Sequence, residues 1–246
     1  MAYVCEPTIL PRKALRFVLC ATAAACLLAA TAHAATLRTV NGNVQLVRDG
    51  SVMPATKNMR LKKGDQLLSE PASPDVGTAA GSGAATGGEA LVRFDDGARL
   101  ALRNGSSFEI KELRLKGPAA TREKIIDVIK GSLRYISGVA TVQQKVSFTT
   151  STATIGIRGT DIEIVVSDEV VQDNNPGTYL KVNTGAAVLT AVDGAAVEVA
   201  PGEVAYGGEP ELTTRGAGGV RRAAARKVQA AGAGLFKPSS LDRLMN

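Results

Sequence analysis

Beyond residue 34 the chain contains no cysteine, histidine or tryptophan; Cys5, Cys20, Cys26 and His33 all fall in the N-terminal segment. These absences exclude a large part of enzyme chemistry. Nucleophilic triads that use His as base, zinc sites built from Cys or His and disulfide frameworks cannot be assembled from what remains. A chain of this length buries a core without disulfides. Aromatics are also scarce, with seven beyond residue 34, so there are few stacking platforms for sugars or bases. Neither a G-x-x-x-x-G-K-[ST] phosphate loop nor a dinucleotide glycine fingerprint is present. The expectation is a protein with no catalytic, cofactor-binding or metal-ligating residues, one that takes no cofactor and acts by binding.

What is present begins with a sorting signal. Arg12, Lys13 and Arg16 precede an uncharged stretch from Phe17 to Ala32, and Ala32-His33-Ala34 stand before Ala35. That order is a positive n-region, an apolar h-region and a small-residue cleavage site. The stretch falls short of the roughly 20 residues of a spanning helix. The pattern predicts a signal peptide over 1–34, cut between Ala34 and Ala35, and a periplasmic location. Two alternatives stay open. The segment can remain as an uncleaved membrane anchor, or Cys26 can be lipidated, although Cys26 lacks the usual preceding Leu and an apolar run still follows it.

The net charge of +6 invites a nucleic-acid reading, but its distribution argues against one. Residues 211–246 carry seven basic side chains (Arg215, Arg221, Arg222, Arg226, Lys227, Lys237, Arg243) against Glu211 and Asp242, which leaves residues 35–210 close to neutral. A basic tail can attach to phosphate-rich surfaces, yet a solvated segment is the commoner reading. No nucleic-acid partner is expected.

Between the two ends, the sequence reads as short strands punctuated by turns. Asn41-Gly42 and Asp49-Gly50, Asp96-Gly97 and Asn104-Gly105, and Asp193-Gly194 and Pro201-Gly202 form pairs of turn signals at short, equal spacing. Apolar and polar residues alternate between them: Val44 and Leu46; Ala90, Val92 and Phe94; Leu100 and Leu102; Val146 and Phe148; Ile162, Ile164 and Val166; Leu180 and Val182; Val197 and Val199. The fold class predicted is all-β, an antiparallel β-sandwich or β-roll over 35–210. After Phe108 and Ile110 the apolar phase moves to Leu113 and Leu115, so a bulge or turn is expected near Lys111-Glu112. Residues 71–88, rich in Ala, Gly, Ser and Thr, read as a flexible insertion. The basic tail over 211–246 is low in complexity and allows a frayed helix across Val220 to Ala231.

Other chemistry has a plainer explanation. Asp95-Asp96 before Gly97 resembles a glycosidase carboxylate pair only superficially, because adjacent carboxylates in a tight turn diverge. Asp173-Asn174-Asn175 lacks the spaced ligands and closing Glu of a calcium loop. The Ser/Thr run from Ser147 to Thr154 offers a hydroxyl-rich strand face that could dock a glycan, yet Thr is simply a good strand former.

One stretch is distinctive. Thr154-Ile155-Gly156-Ile157-Arg158-Gly159-Thr160-Asp161 resembles the hallmark of the FecR domain, a periplasmic module. Further matching positions are Gly42 with Val44, Gly64-Asp65, Ala90-x-Val92-x-Phe94-x-Asp96-Gly97, Phe108 with Ile110, Gly131, and Gly177-Thr178 to Val182 and Gly185. They run in order through residues 37–190. Read from the residues alone, Gly64, Asp65, Asp96, Gly97, Gly156, Arg158, Gly159, Thr160 and Asp161 are architectural. Arg158 near Asp161 suggests an ion pair at a strand entry, and Gly156 and Gly159 bracket a place of close approach or positive φ. The resemblance implies an exported, non-enzymatic interaction or signalling module whose partner is an envelope protein or cell-wall component. Membrane contact follows only if the N-terminal segment is retained or lipidated. Family members that regulate sigma factors carry a cytoplasmic segment and a membrane helix before this domain; only sixteen residues precede the apolar run here, so direct sigma-factor control is not expected. The competing reading is a glycan- or peptidoglycan-binding structural protein using the Thr-rich face and the basic tail.

Overall fold

The structure, a computed structural model, describes residues 34–72, 87–138, 144–171, 173–209, 212–213, 220–221, 224–228, 235–236 and 244–245. The chain divides into two compact units, Met1–Ala32 and His33–Asn246, and all described residues belong to the second. The signal-peptide expectation and most of the Ala/Gly-rich insertion therefore lie outside the described residues.

As the alternation predicts, the second unit is built of strands: β1 (Ala35–Asn41), β2 (Val44–Arg48), β3 (Ser51–Pro54), β4 (Arg60–Leu61), β5 (Gln66–Ser69), β6 (Glu89–Phe94), β7 (Arg99–Leu102), β8 (Ser107–Arg114), β9 (Glu123–Ile136), β10 (Lys145–Thr149), β11 (Ala153–Ser167), β12 (Gly177–Ala191), β13 (Ala196–Val199), β14 (Val204–Gly207), β15 (Leu212–Thr213), β16 (Val220–Arg221) and β17 (Ala225–Lys227). Apart from the separate β15–β16 pair, these strands form one continuous hydrogen-bonded sheet. It folds into two layers because three long strands run through both. The front layer holds β3, β2, β5, β8, the first half of β9, β10, the first half of β11, the second half of β12, and β13. The back layer holds β4, β1, β6, β7, the second halves of β9 and β11, the first half of β12, β14 and β17. Inward side chains from both layers, including Leu46, Val92, Phe108, Ile126, Tyr135, Phe148, Ile164 and Leu189, meet in one buried core. The result is the sandwich expected, with strands longer than the turn signals suggest and, among the described residues, one parallel pairing, β9 with β10.

Glycine makes the crossings possible. Gly131 in β9 and Gly185 in β12 both have positive φ, 89° and 82°, and a Cβ at either would collide with a neighbouring strand: with Ser106 at Gly131, and with the Gly159 carbonyl and Thr160 at Gly185. The turn signals separate into two kinds. Asp49-Gly50, Asp96-Gly97 and Asp193-Gly194 close hairpins within one layer, whereas Asn41-Gly42, Asn104-Gly105 and Pro201-Gly202 carry the chain from one layer to the other. At Asp96 and Asp193 the carboxylate accepts the N–H two residues on, from Ala98 at 3.0 Å and Ala195 at 2.9 Å, which favours the tight turn. The expected irregularity in β8 is present as a register shift between Ile110 and Glu112.

The helix expected across Val220 to Ala231 is corrected: its described residues include β16 and β17, and β17 pairs antiparallel with β14. The free backbone edge of β14 and burial of Ala224 and Ala225 outweigh the modest helix propensity of an Ala-rich run.

Candidate functional site

The hallmark residues spread along β11, which belongs to the front layer up to Arg158 and to the back layer from Asp161. In the back-layer half, outward-facing charges are fully engaged. Asp161 accepts two hydrogen bonds from Arg134, Nε to Oδ1 at 2.9 Å and an Nη to Oδ2 at 2.6 Å, and a third from Asn183 at 3.3 Å. Glu163 accepts from Lys181 at 3.2 Å and Asn183 at 3.1 Å. The Arg158–Asp161 pair expected from the sequence does not form. The bend at Gly159, φ 60°, turns the two residues into different layers, and β9 brings Arg134 beside Asp161 instead. Thr160 is buried at that bend, where its N–H donates to Ser137 Oγ at 3.0 Å and its carbonyl accepts the Ser137 N–H at 2.9 Å.

The front-layer half is different. Ser147, Gly156, Val188 and Glu198 form one cross-strand row on the outer face of β10, β11, β12 and β13. This row floors a groove of about 640 Å³, with Lys145, Arg158, Ala186, Pro201 and Lys227 also lining it. Lys145 is held by Glu123 at 3.2 Å and Lys227 by Glu203 at 2.7 Å. Arg158 is exposed and makes no ion pair among the described residues. Gly156 has no backbone reason to be glycine: its φ is not in the left-handed region and a Cβ there would meet nothing within 4 Å. Glycine within a strand costs about 0.5–1 kcal/mol relative to Ala, so the bare floor is maintained at some expense to stability.

Two of the further FecR-like positions, Asp65 and Asp96, make internal contacts. Asp65, almost completely buried, closes the turn at Gly64 (φ 84°). It accepts Arg48 Nε at 2.8 Å, an Arg48 Nη at 2.6 Å and the Lys62 N–H at 2.8 Å. Asp96, in the hairpin at Gly97, meets Lys124 Nζ at 2.9 Å in the interior. Lys124 has no solvent exposure, lies 3.9 Å from the Phe94 ring centroid and hydrogen-bonds the Tyr135 hydroxyl at 3.0 Å. Burial pulls the Lys124 ammonium down to about 8 against the pull of Asp96, and burial pushes the Tyr135 hydroxyl well up. This tie joins the front layer to the back and is closed to substrate.

Sequence reading missed Lys124, although parity with inward Ile126 and Val128 points it into the core. It also missed Arg134, because the two long strands that bring it to Asp161 carry no turn signal to reveal their pairing. Half of the hydroxyl-rich run is engaged internally: Thr150 and Thr152 hydroxyls meet Thr178 at 2.7 and 2.8 Å, and Thr149 donates to Asp127 at 2.8 Å. Among the described residues no group of three or more His, Cys, Asp or Glu could hold a metal, and no helix is long and apolar enough to cross a membrane.

Residues 83–188 match the family model described as FecR protein, which bears out the resemblance seen in the sequence. The matched range contains the whole of β6 to β11 and most of β12. No curated protein is similar enough to count as a match. Among solved structures, two crystal structures described as an anti-sigma factor from Parabacteroides distasonis are similar. One is 10% identical with a TM-score of 0.41, covering 64% of this chain and 58% of that one. The other is 12% identical with a TM-score of 0.38, covering 54% of each. The chain spans less than two thirds of the length of either.

Proposed function

We propose that this FecR-domain chain is a non-catalytic binding and signalling module of the cell envelope, and that it receives a segment of an envelope protein on the outer face of the front layer at Gly156. The observation that carries this reading is Gly156 itself, a strand-interior glycine that no torsion or clash requires. Such a position suits close approach of another backbone or side chain. Beside it, the exposed apolar side of Val188 and the exposed Arg158 guanidinium, without an ion pair among the described residues, supply one apolar and one charge-bearing contact. The FecR match supports a regulatory module, and the lack of a catalytic constellation beyond residue 34 supports a binding role. Glycan binding through the Thr-rich strand is less favoured, because the Thr150 and Thr152 hydroxyls are already committed to Thr178.

The order of basic, apolar and small residues over 1–34 supports export and action in the periplasm. Pulse-labelling in cells, followed by mass measurement of the product, is expected to give a chain beginning at Ala35; a full-length product held in carbonate-washed membranes would replace secretion with anchoring. For the groove, a photo-crosslinking residue at Val188 in the full chain is expected to capture an envelope protein. Gly156→Val should abolish capture while leaving the melting temperature unchanged or slightly raised. Equal capture by Gly156→Val would reject the site.

A further inference from the structure

On the outer face of the back layer, remote from Gly156 and independent of the preceding proposal, three arginines gather with no ion-pair partner among the described residues. Arg93 and Arg99 are direct cross-strand partners in β6 and β7, and Arg38 reaches the same place from the register shift between Leu37 and Thr39 in β1. Like charges placed opposite one another destabilise a sheet. None of the three makes an ion pair with a described residue. Asp95 lines the adjoining hollow with Arg38 and Arg93 but pairs with neither. Asp161, one strand beyond Ile136, is occupied by Arg134 and Asn183.

Together the arginines line a groove of about 470 Å³ whose other walls include Leu91, Ile136, Leu244 and Met245. Two of those wall residues come from the far end of the chain. Leu244 and Met245 bury Ala101 beneath them and pack beside Leu91 and Ile136, and Arg99 donates a hydrogen bond to the Met245 carbonyl. One wall of the groove is thus itself a peptide from the far end of the chain, with apolar side chains laid on Ala101, Leu91 and Ile136 and a main-chain carbonyl on the Arg99 guanidinium. The segment that supplies it, 211–246, is rich in arginine and lysine, which is the wrong charge for this face.

We propose that this groove is a docking site for a partner peptide that combines carboxylates with apolar side chains, and that Leu244 and Met245 cover its apolar side until such a peptide displaces them. Guanidinium groups pair with carboxylates in a planar, bidentate geometry, so an acidic segment gains ion pairs that Leu244 and Met245 cannot offer. The self-contact acts as a competitor and weakens the apparent affinity of the partner by the fraction of time it holds the groove.

Fluorescence anisotropy with the full chain and a labelled synthetic peptide of alternating Glu and Leu tests this. The expected result is saturable binding that weakens with added salt and is at least about tenfold tighter than for the same peptide with Gln in place of Glu. Leu244→Ser with Met245→Ser should tighten binding about tenfold by removing the competitor, and Arg93→Ser with Arg99→Ser should weaken it about tenfold. Arg38→Ser, a change at an exposed residue, provides a second weakening variant should the double arginine variant fold poorly. Equal binding of the Gln peptide, or no gain on removing Leu244 and Met245, would overturn the proposal. Inorganic phosphate binding as tightly as the Glu peptide would mark a simple anion site and overturn it equally.

Discussion

The two halves of β11 share one backbone yet differ in how their outer faces are finished. From Asp161 onward, Asp161 and Glu163 are fastened to Arg134, Asn183 and Lys181. Before the bend, Thr154, Gly156 and Arg158 are exposed, Gly156 opens onto empty space and Arg158 is unpaired among the described residues. A strand that contributes only to the fold has reason to saturate both halves. The contrast separates a half that holds the layers together from a half left available.

The largest test of that division lies where β12 crosses between layers. Gly185→Ala forces a left-handed residue to carry a Cβ into the Gly159 carbonyl, and the expected loss is about 3 kcal/mol or more, read by urea unfolding. Loss of less than about 1 kcal/mol would show that the crossing relaxes easily and that the two halves are not rigidly distinguished.

A comparable effect is expected from pH through the interior tie. The folded chain releases the Lys124 proton near pH 8, whereas the unfolded chain holds it to about 10.4. Between those values the unfolded state binds more protons, so stability rises with pH, by up to about 3 kcal/mol. Tyr135, whose folded pKa is pushed up, acts in the opposite sense above about pH 10, so urea midpoints taken from pH 7 to 9.5 isolate the lysine. Lys124→Met is expected to remove this rise; an unchanged slope would deny the buried charge.

Smaller still, Asp161→Ala removes the two hydrogen bonds that Arg134 makes to its carboxylate and is expected to cost about 2 kcal/mol in unfolding free energy. Gly156→Ala in the bare half should leave stability unchanged or raise it by up to about 1 kcal/mol. Arg158→Ala should stay within about 0.5 kcal/mol of the parent. Gly156→Ala costing as much as Asp161→Ala would erase the distinction between the halves.

Much of the fold was legible because a half-buried strand writes its inward face in alternation. Val44, Leu46, Val92, Phe108, Phe148, Ile164 and Leu180, chosen from period alone, are buried in the core, and the phase change after Ile110 marks a real register shift. Less legible was what happened at glycine. Asn41-Gly42 and Asp49-Gly50 look alike locally, yet the first leads between layers and the second closes a hairpin. The site was legible in part: the hallmark drew attention to Gly156, but the Arg158–Asp161 pair inferred from proximity in sequence is replaced by Arg134, many residues away.

By itself, the sequence determined the chemical inventory, the strand periodicity and the FecR resemblance, because residue types and local alternation are written directly along the chain. Only the tertiary structure decided which layer each half of a long strand joins, that Lys124 is interior, that residues after 210 add a strand and cover apolar patches, and that one half of the hallmark is bare. Each of these depends on which strand lies alongside another, and pairing between distant strands is settled by the burial they achieve together rather than by any local signal.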